Sequence, residues 1–289
     1  MRVVDRTLKF SGPTASVLYT ACWHIGNNAL CEEGIDTFLK KAQKSPWVHL
    51  GDICEAIMPS DPRFSIQEHD NPVLAQQEFA AKKMKTAKKN LWGLIPGNHD
   101  IKLSSKIGGV VPHILELMGY SEVQKKEQFL TYSCFMRIHC PKGICETFLS
   151  HGGSTASYSS GEAERISINK KVRLRNILRR FSADVRGIAH MHNTIISPPV
   201  YMLKLLPVGK QVKRRPVAEK PGWCFACPSM FKTYDDTATH GNYAEAKLYN
   251  PTDIGWIEVV HNRDGTVACI RQILEDGRIK QELEPTVVE

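Results

Sequence analysis

The chain has 289 residues, enough for one large α/β domain or two modest ones that bury a core without staples. Its 38 Lys+Arg against 30 Asp+Glu give a formal charge of +8, gathered largely in Lys82 to Lys89, Lys170 to Arg180 and Lys210 to Arg215, which makes polyanions plausible partners. The nine cysteines form no small-domain framework, no secretory leader pattern opens the sequence, and no apolar run approaches the roughly 20 residues that cross a bilayer, so a disulfide scaffold and a membrane span are excluded and a cytoplasmic location is expected.

Ser16 to Thr20 is a short apolar run followed by polar, glycine-containing sequence, the pattern of a buried strand feeding a loop. Gly34 to Lys44 has helical periodicity. Trp47 to Leu50 repeats the strand pattern and ends on Gly51-Asp52-Ile53-Cys54-Glu55. Ala56 to Asn71, rich in Asp, Pro and Ser, reads as an insertion that leaves from that point and shapes a pocket, with Arg63 available to a phosphate. Asn71 to Asn90 is the next helical stretch, Pro72 suiting its first turn. Leu91 to Ile95 is a third strand, running into Gly97-Asn98-His99-Asp100.

Pro112 to Met118 is helical, Thr147 to Ser150 is a strand ending at His151-Gly152, Gly161 to Phe181 is helical, and Asp184 to Ala189 is a strand ending at His190-Met191-His192. From Pro198 onward Tyr201 to Leu206, Trp256 to Val260 and Thr266 to Leu274 read as mainly antiparallel strands, with Asn262-Arg263-Asp264-Gly265 as a hairpin turn signal. Lys210 to Pro221, basic and proline-punctuated, is expected to be a mobile loop, and Thr239 to Glu245 a surface loop. Cys224 and Cys227, one Cys-x-x-Cys without a second pair at matching spacing, read as buried small residues rather than a zinc site. Strands alternating with helices argue for a layered α/β architecture.

The polar clusters share one feature: each follows a strand. His24 follows the first, Asp52 the second, Asn98 and His99 the third, His151 the fourth, and His190 and His192 the fifth. In open α/β sheets ligands collect at the carboxyl ends of strands. Hydrolysing a phosphate ester requires neutralised phosphoryl oxygens, a nucleophile made from water and help for the leaving oxygen. Two cations about 3.5–4 Å apart, held by a bridging carboxylate with His, Asn and carboxylate ligands, do the first two jobs.

The order and spacing from Cys22 to His192 resemble the calcineurin-like metallophosphoesterase family, whose motifs run Asp-x-His, Gly-Asp-x-x-Asp/Glu, Gly-Asn-His-Asp/Glu, a His near glycine, and Gly-His-x-His. The resemblance implies a single domain over residues 1–289, an α-β-β-α sandwich of two mixed sheets flanked by helices. Residues 196–289 would complete the second sheet and part of the substrate cleft. It further implies that Asp52 bridges two divalent ions (manganese, zinc or iron). Cys22, His24 and His192 would complete one site, and Asn98, His151 and His190 the other. Asn98 and Arg63 would touch substrate, His99 would serve the leaving oxygen, and Glu55 would orient His99, with Asp100 supporting the loop.

Two departures stand out. Ala189 replaces the glycine before His190, a small change. Cys22 replaces the aspartate of the opening motif; it either ligates as a thiolate, favouring softer metals, or stays unligated beside a weakened or single-metal site. The activity implied is a phosphodiesterase acting on nucleic acid or nucleotides. A phosphomonoesterase, and a nucleic-acid-binding protein with an impaired metal site, remain as alternatives.

Overall fold

The computed structural model describes residues 1–61, 64, 72–107, 109–153, 163–208, 211–220, 222–234, 245 and 251–285. In chain order the elements are β1 (Arg2–Thr7), β2 (Thr14–Thr20), α1 (Glu32–Ala42), β3 (Trp47–His49), α2 (Val73–Lys85), β4 (Leu91–Leu94), α3 (Asn98–Ile107), α4 (Val110–Leu117), α5 (Glu122–Gln128), β5 (Ser133–Cys140), β6 (Gly143–Ser150), α6 (Ala163–Leu178), β7 (Val185–Ile188), β8 (Ile195–Ser197), β9 (Val200–Val208), β10 (Gln211–Lys220), β11 (Trp223–Ala226), β12 (Gly255–Asn262), β13 (Val267–Leu274) and β14 (Ile279–Leu283). They build two six-stranded sheets, ordered β1-β5-β6-β7-β11-β8 and β14-β13-β12-β2-β3-β4, and a separate β9–β10 ribbon. Both sheets are mixed: β2, β3 and β4 run parallel beside antiparallel β12, and β6, β7 and β11 run parallel beside antiparallel β5 and β8.

Side-chain alternation along the strands sorts the apolar residues into layers. Val17, Tyr19, Val48, Leu149, Phe225, Ile257 and Val259 share the core between the sheets. Their chain neighbours Leu18, Trp47 and Trp256 face outward and pack with Ile35, Phe38, Ala80, Met84, Ile114 and Leu115 of α1, α2 and α4. On the other side Phe148, Cys224 and Ala226 pack with Leu174 and Leu178 of α6. Helix, sheet, sheet, helix is the resulting order. Cys224 and Cys227 fall in different layers, which removes them as a zinc pair.

Residues after 196 serve both sheets: β12, β13 and β14 extend the sheet of β2–β4, while β11 joins the other sheet beside β7. The Asn262 to Gly265 turn does join β12 to β13, with Gly265 at φ 88°. One expectation is overturned. Gln211–Lys220 is a strand paired antiparallel with β9, Arg215 opposite Lys204, rather than a loop. Pro216 misled the reading; in a two-stranded ribbon each strand has an edge where a missing N–H costs no ladder bond. Arg63, most of the Ala56 to Asn71 insertion and Thr239 to His240 with Gly241 to Ala244 lie outside the described residues. No described helix is long and apolar enough to cross a membrane.

His261 on β12 is fully buried, and neither ring nitrogen has a partner among the described residues. Burial pushes its pKa down to about 4 from 6.5. The folded state therefore refuses a proton that the unfolded chain accepts below pH 6.5, so stability is complete above that pH and falls as pH drops toward 4. At pH 5 the loss is about 2 kcal/mol. Urea denaturation of wild type and His261→Leu at pH 8 and pH 5 checks this: the variant's loss between the two should be smaller by about that amount.

Candidate metal centre

The parallel strands of the two sheets deliver their carboxyl ends to one region. β2 leads to Cys22 and His24, β3 to Asp52 and Glu55, β4 to Asn98 and His99, β6 to His151, and β7 to His190 and His192. After β2, β3 and β7 the backbone takes left-handed kinks: Cys22, His24, Asp52, His190 and His192 have φ of 50°, 51°, 55°, 66° and 52°. These are five of the seven non-glycine residues with positive φ among those described, and such strain, about 1–3 kcal/mol each, concentrates at functional sites. The two kinked tripeptides match. In Cys22-Trp23-His24 the middle side chain anchors in the outer layer beyond one sheet, and in His190-Met191-His192 it anchors beyond the other.

Close packing of glycines holds the strand ends together. A Cβ on Gly97 would lie 2.1 Å from Asp52 Oδ1, and one on Gly51 would lie 2.6 Å from His151 Nδ1. Asp100, fully buried in the first turn of α3, accepts from the N–H groups of Asp52 (3.0 Å), Ile53 (3.4 Å), Cys54 (3.4 Å) and Gly97 (2.9 Å). Burial and then the charge of Asp52 push its pKa up, against these N–H donors, which pull it down.

The titratable side chains then converge. His151 Nδ1 lies 2.7 Å from the Leu50 carbonyl and donates to it, so the neutral ring carries a lone pair at Nε2. That Nε2 faces Asp52 Oδ2 at 3.0 Å and Asn98 Oδ1 at 3.1 Å. His24 Nδ1 donates to Glu55 Oε2 at 2.6 Å, which leaves its Nε2 facing His192 Nε2 at 3.2 Å. Each cluster closes through a proton on one of its ring nitrogens or, with the rings neutral, through a cation between the lone pairs. Sets of ligand atoms within 4.8 Å of one another are Cys22, His24 and His192; Cys22, Asp52 and His151; and His24, Glu55 and His99. This donor set of imidazoles, carboxylates and a thiol suits transition metals better than magnesium or calcium.

The electrostatics favour the neutral ring at three of the histidines and the charged one at His24. Burial, followed by the nearby His24, pushes His192 down to about 3 and also lowers His99; burial and His151 lower His190. Burial opposes charge on His24, yet Glu55 outweighs it and raises that ring above its ordinary value. Burial likewise opposes charge on Asp52, but the hydrogen bond to His151 and the field of His151 and His24 hold the carboxyl well below the usual range. Burial and Asp52 push the Cys22 thiol up.

Of the residues singled out in the sequence, the structure brings Cys22, His24, Asp52, Glu55, Asn98, His99, His151 and His192 together directly. His190 reaches the group through its ring, whose centroid is 5.3 Å from that of His151, but it belongs to none of the three sets. The expected part of Glu55 is corrected: its carboxylate holds His24, and it is the Glu55 main-chain carbonyl that receives His99 Nδ1, at 2.5 Å. A carboxylate behind a metal-binding imidazole fixes the ring and raises its basicity. Glu55→Gln should therefore lower metal affinity about 10–100-fold, as titration calorimetry would show. Phe231 was missed. It lies past β11, with ring centroids 5.9 Å from His24 and 6.1 Å from His192, and nothing in its sequence neighbourhood marks it.

No family model and no curated protein matches the chain. Solved structures do, at low identity. It is similar to GAP50 of Plasmodium, described as the anchor in the inner membrane complex (11% identity over 96% of this chain and 90% of that one, TM-score 0.47). It is also similar to Vps29 of Entamoeba histolytica complexed with zinc (13%, 93% and 98%, TM-score 0.44) and to Yfce, a phosphoesterase from E. coli (12%, 94% and 100%, TM-score 0.39).

Proposed function

We propose that the chain is a metal-dependent phosphoesterase that cleaves phosphodiesters in nucleic acid or nucleotides with two divalent ions. The observation that carries this reading is the convergence of two clusters of potential ligand atoms, His151 Nε2 with Asp52 Oδ2 and Asn98 Oδ1, and His24 Nε2 with His192 Nε2. Manganese, zinc or iron held there would neutralise phosphoryl oxygens and bring the pKa of a water near neutrality. Asp52 would bridge, Cys22, His24 and His192 would complete one position, and Asn98, His151 and His190 the other. Asn98 would also touch the phosphoryl group.

His99 has a different task. With Nδ1 donating to the Glu55 carbonyl, Nε2 is the ring nitrogen left to face the departing oxygen, and it would deliver a proton from the imidazolium formed when the ring takes one up. Its backbone N–H donates to Asp52 Oδ1 at 2.9 Å, so the acid and the bridging carboxylate keep a fixed spacing.

The diester preference rests on the basic segments. Several of their members are already engaged: Lys83 pairs with Glu32 and Asp36, and Lys88 donates to the carbonyls of Met118 and Gly119. Lys170 instead donates to Asn193 Oδ1 at 3.3 Å, next to His192 in sequence, which brings one cation to the cleft's edge. Elemental analysis, followed by turnover of bis-p-nitrophenyl phosphate beside p-nitrophenyl phosphate with manganese, zinc, iron and magnesium, tests the proposal. A monoester preference would move the assignment to a phosphomonoesterase. His99→Ala should abolish turnover and retain metal; salt-sensitive nucleic-acid binding without turnover under any metal would instead favour a binding module.

A further inference from the structure

Resting on the two-ion reading above, we propose that the Cys22 sulfur is a ligand common to both metal positions, so that the centre is bridged by a thiolate as well as by Asp52. A cysteine offers one ligand atom. That single Sγ is within 4.8 Å of the ligand atoms of His24 and His192 and equally of those of Asp52 and His151. Metal–ligand bonds of about 2.0–2.3 Å let two donors on one ion stand up to roughly 4.6 Å apart, so separations within 4.8 Å bring the sulfur near enough to share an ion with either group. The ligand histidines divide between the two positions; Cys22 does not.

The main chain fixes this placement. Cys22 N–H donates to the Gly51 carbonyl at 2.8 Å, its carbonyl accepts from Met230 N–H at 3.0 Å, and its left-handed φ of 50° turns the side chain from the run of β2. The sulfur is fully buried. Cys227, the other thiol in this part of the core, points away, donating to the Tyr19 carbonyl at 3.3 Å. Hence one thiol, and no second, is available to the ions among the described residues. A carboxylate at this position would lean to one ion and suit magnesium. A sulfur of larger radius, placed between the two groups, suits zinc, iron or cobalt at both.

The test is X-ray absorption of the two-zinc protein and optical spectra of the two-cobalt protein, with Cys22→Ser and Cys22→Asp alongside. A shared sulfur gives on average one Zn–S contact near 2.3 Å per zinc, and thiolate-to-cobalt charge transfer that grows with both the first and the second equivalent. Cys22→Ser should weaken both equivalents at least tenfold and abolish the band. An average of half a sulfur per zinc, or weakening of one equivalent alone, overturns sharing in favour of a terminal ligand; no sulfur contact overturns ligation altogether. The wild-type absorption measurement needs no variant to fold. A wild type that binds no metal would sink the two-ion reading itself, which separates that failure from this one.

Discussion

Asp52→Asn is expected to lower turnover by at least about 1,000-fold and to abolish stoichiometric metal binding, while leaving the metal-free protein as stable as wild type or more so. The magnitude exceeds the 10–100-fold that follows loss of a group behind a metal ligand, because the bridging ligand itself is removed. The stability half of the prediction separates a metal centre from a structural ion pair. In the wild type, Asp52 is a buried carboxylate whose Oδ2 lies 3.0 Å from His151 Nε2, a contact that needs a proton on the ring or a cation between the two atoms. Asparagine keeps an oxygen for the His99 N–H and presents an amide N–H₂ to His151, so the contact closes as a hydrogen bond with neither proton nor cation. Thermal melts in chelator, beside calorimetric titration with zinc, check both halves. A variant that melts far below wild type in chelator would show that Asp52 serves the fold through protonated His151, and the metal reading would lose its main support.

How far the sequence reached depended on whether a signal was local. The strands that end in chemistry were visible because a buried strand is a continuous apolar run and the residue that breaks it is polar: β2, β3, β4 and β7 all follow that rule, and the helices α1, α2 and α6 carry their period in the chain itself. The edge strands β1 and β14, and β5 beside β1, were not seen, because charged residues are mixed into their apolar pattern. The resemblance to a known family named the ligand set, and the position of each candidate at a strand's carboxyl end agreed with it. What spacing could not supply was direction. Glu55 lies three residues past Asp52 and looked like a partner for His99, but the bend that closes the loop at Ala56, with φ 57°, leaves its carboxylate on His24. Nor could it supply backbone strain: nothing about Cys22 or His192 in the sequence announces a left-handed conformation that non-glycine residues avoid. Phe231 is likewise a tertiary arrival, carried to the two imidazoles by a loop tied to Cys22 through the Met230 N–H.

Asp100 is where the fold and the centre meet, and Asp100→Ala should destabilise the protein by about 3–5 kcal/mol. Its two oxygens collect the N–H groups of Asp52, Ile53, Cys54 and Gly97, which belong to the loops after β3 and β4; without them four buried donors lose their acceptor, each worth about 1–3 kcal/mol before relaxation. Water entering the space that the carboxylate leaves would offset part of that loss. An opposing effect has a definite sign: burial and the Asp52 charge both disfavour an ionised Asp100, so removing it relieves repulsion. Four donors outnumber one repulsive neighbour, and the balance falls on the side of loss. Asp100→Asn keeps one acceptor oxygen and relieves the same repulsion, so it should lie between wild type and Asp100→Ala in urea denaturation. Should Asp100→Asn prove more stable than wild type by several kcal/mol, repulsion would outweigh the four hydrogen bonds. The ordering of the three proteins therefore measures which of the two forces holds the Asp52 loop in place.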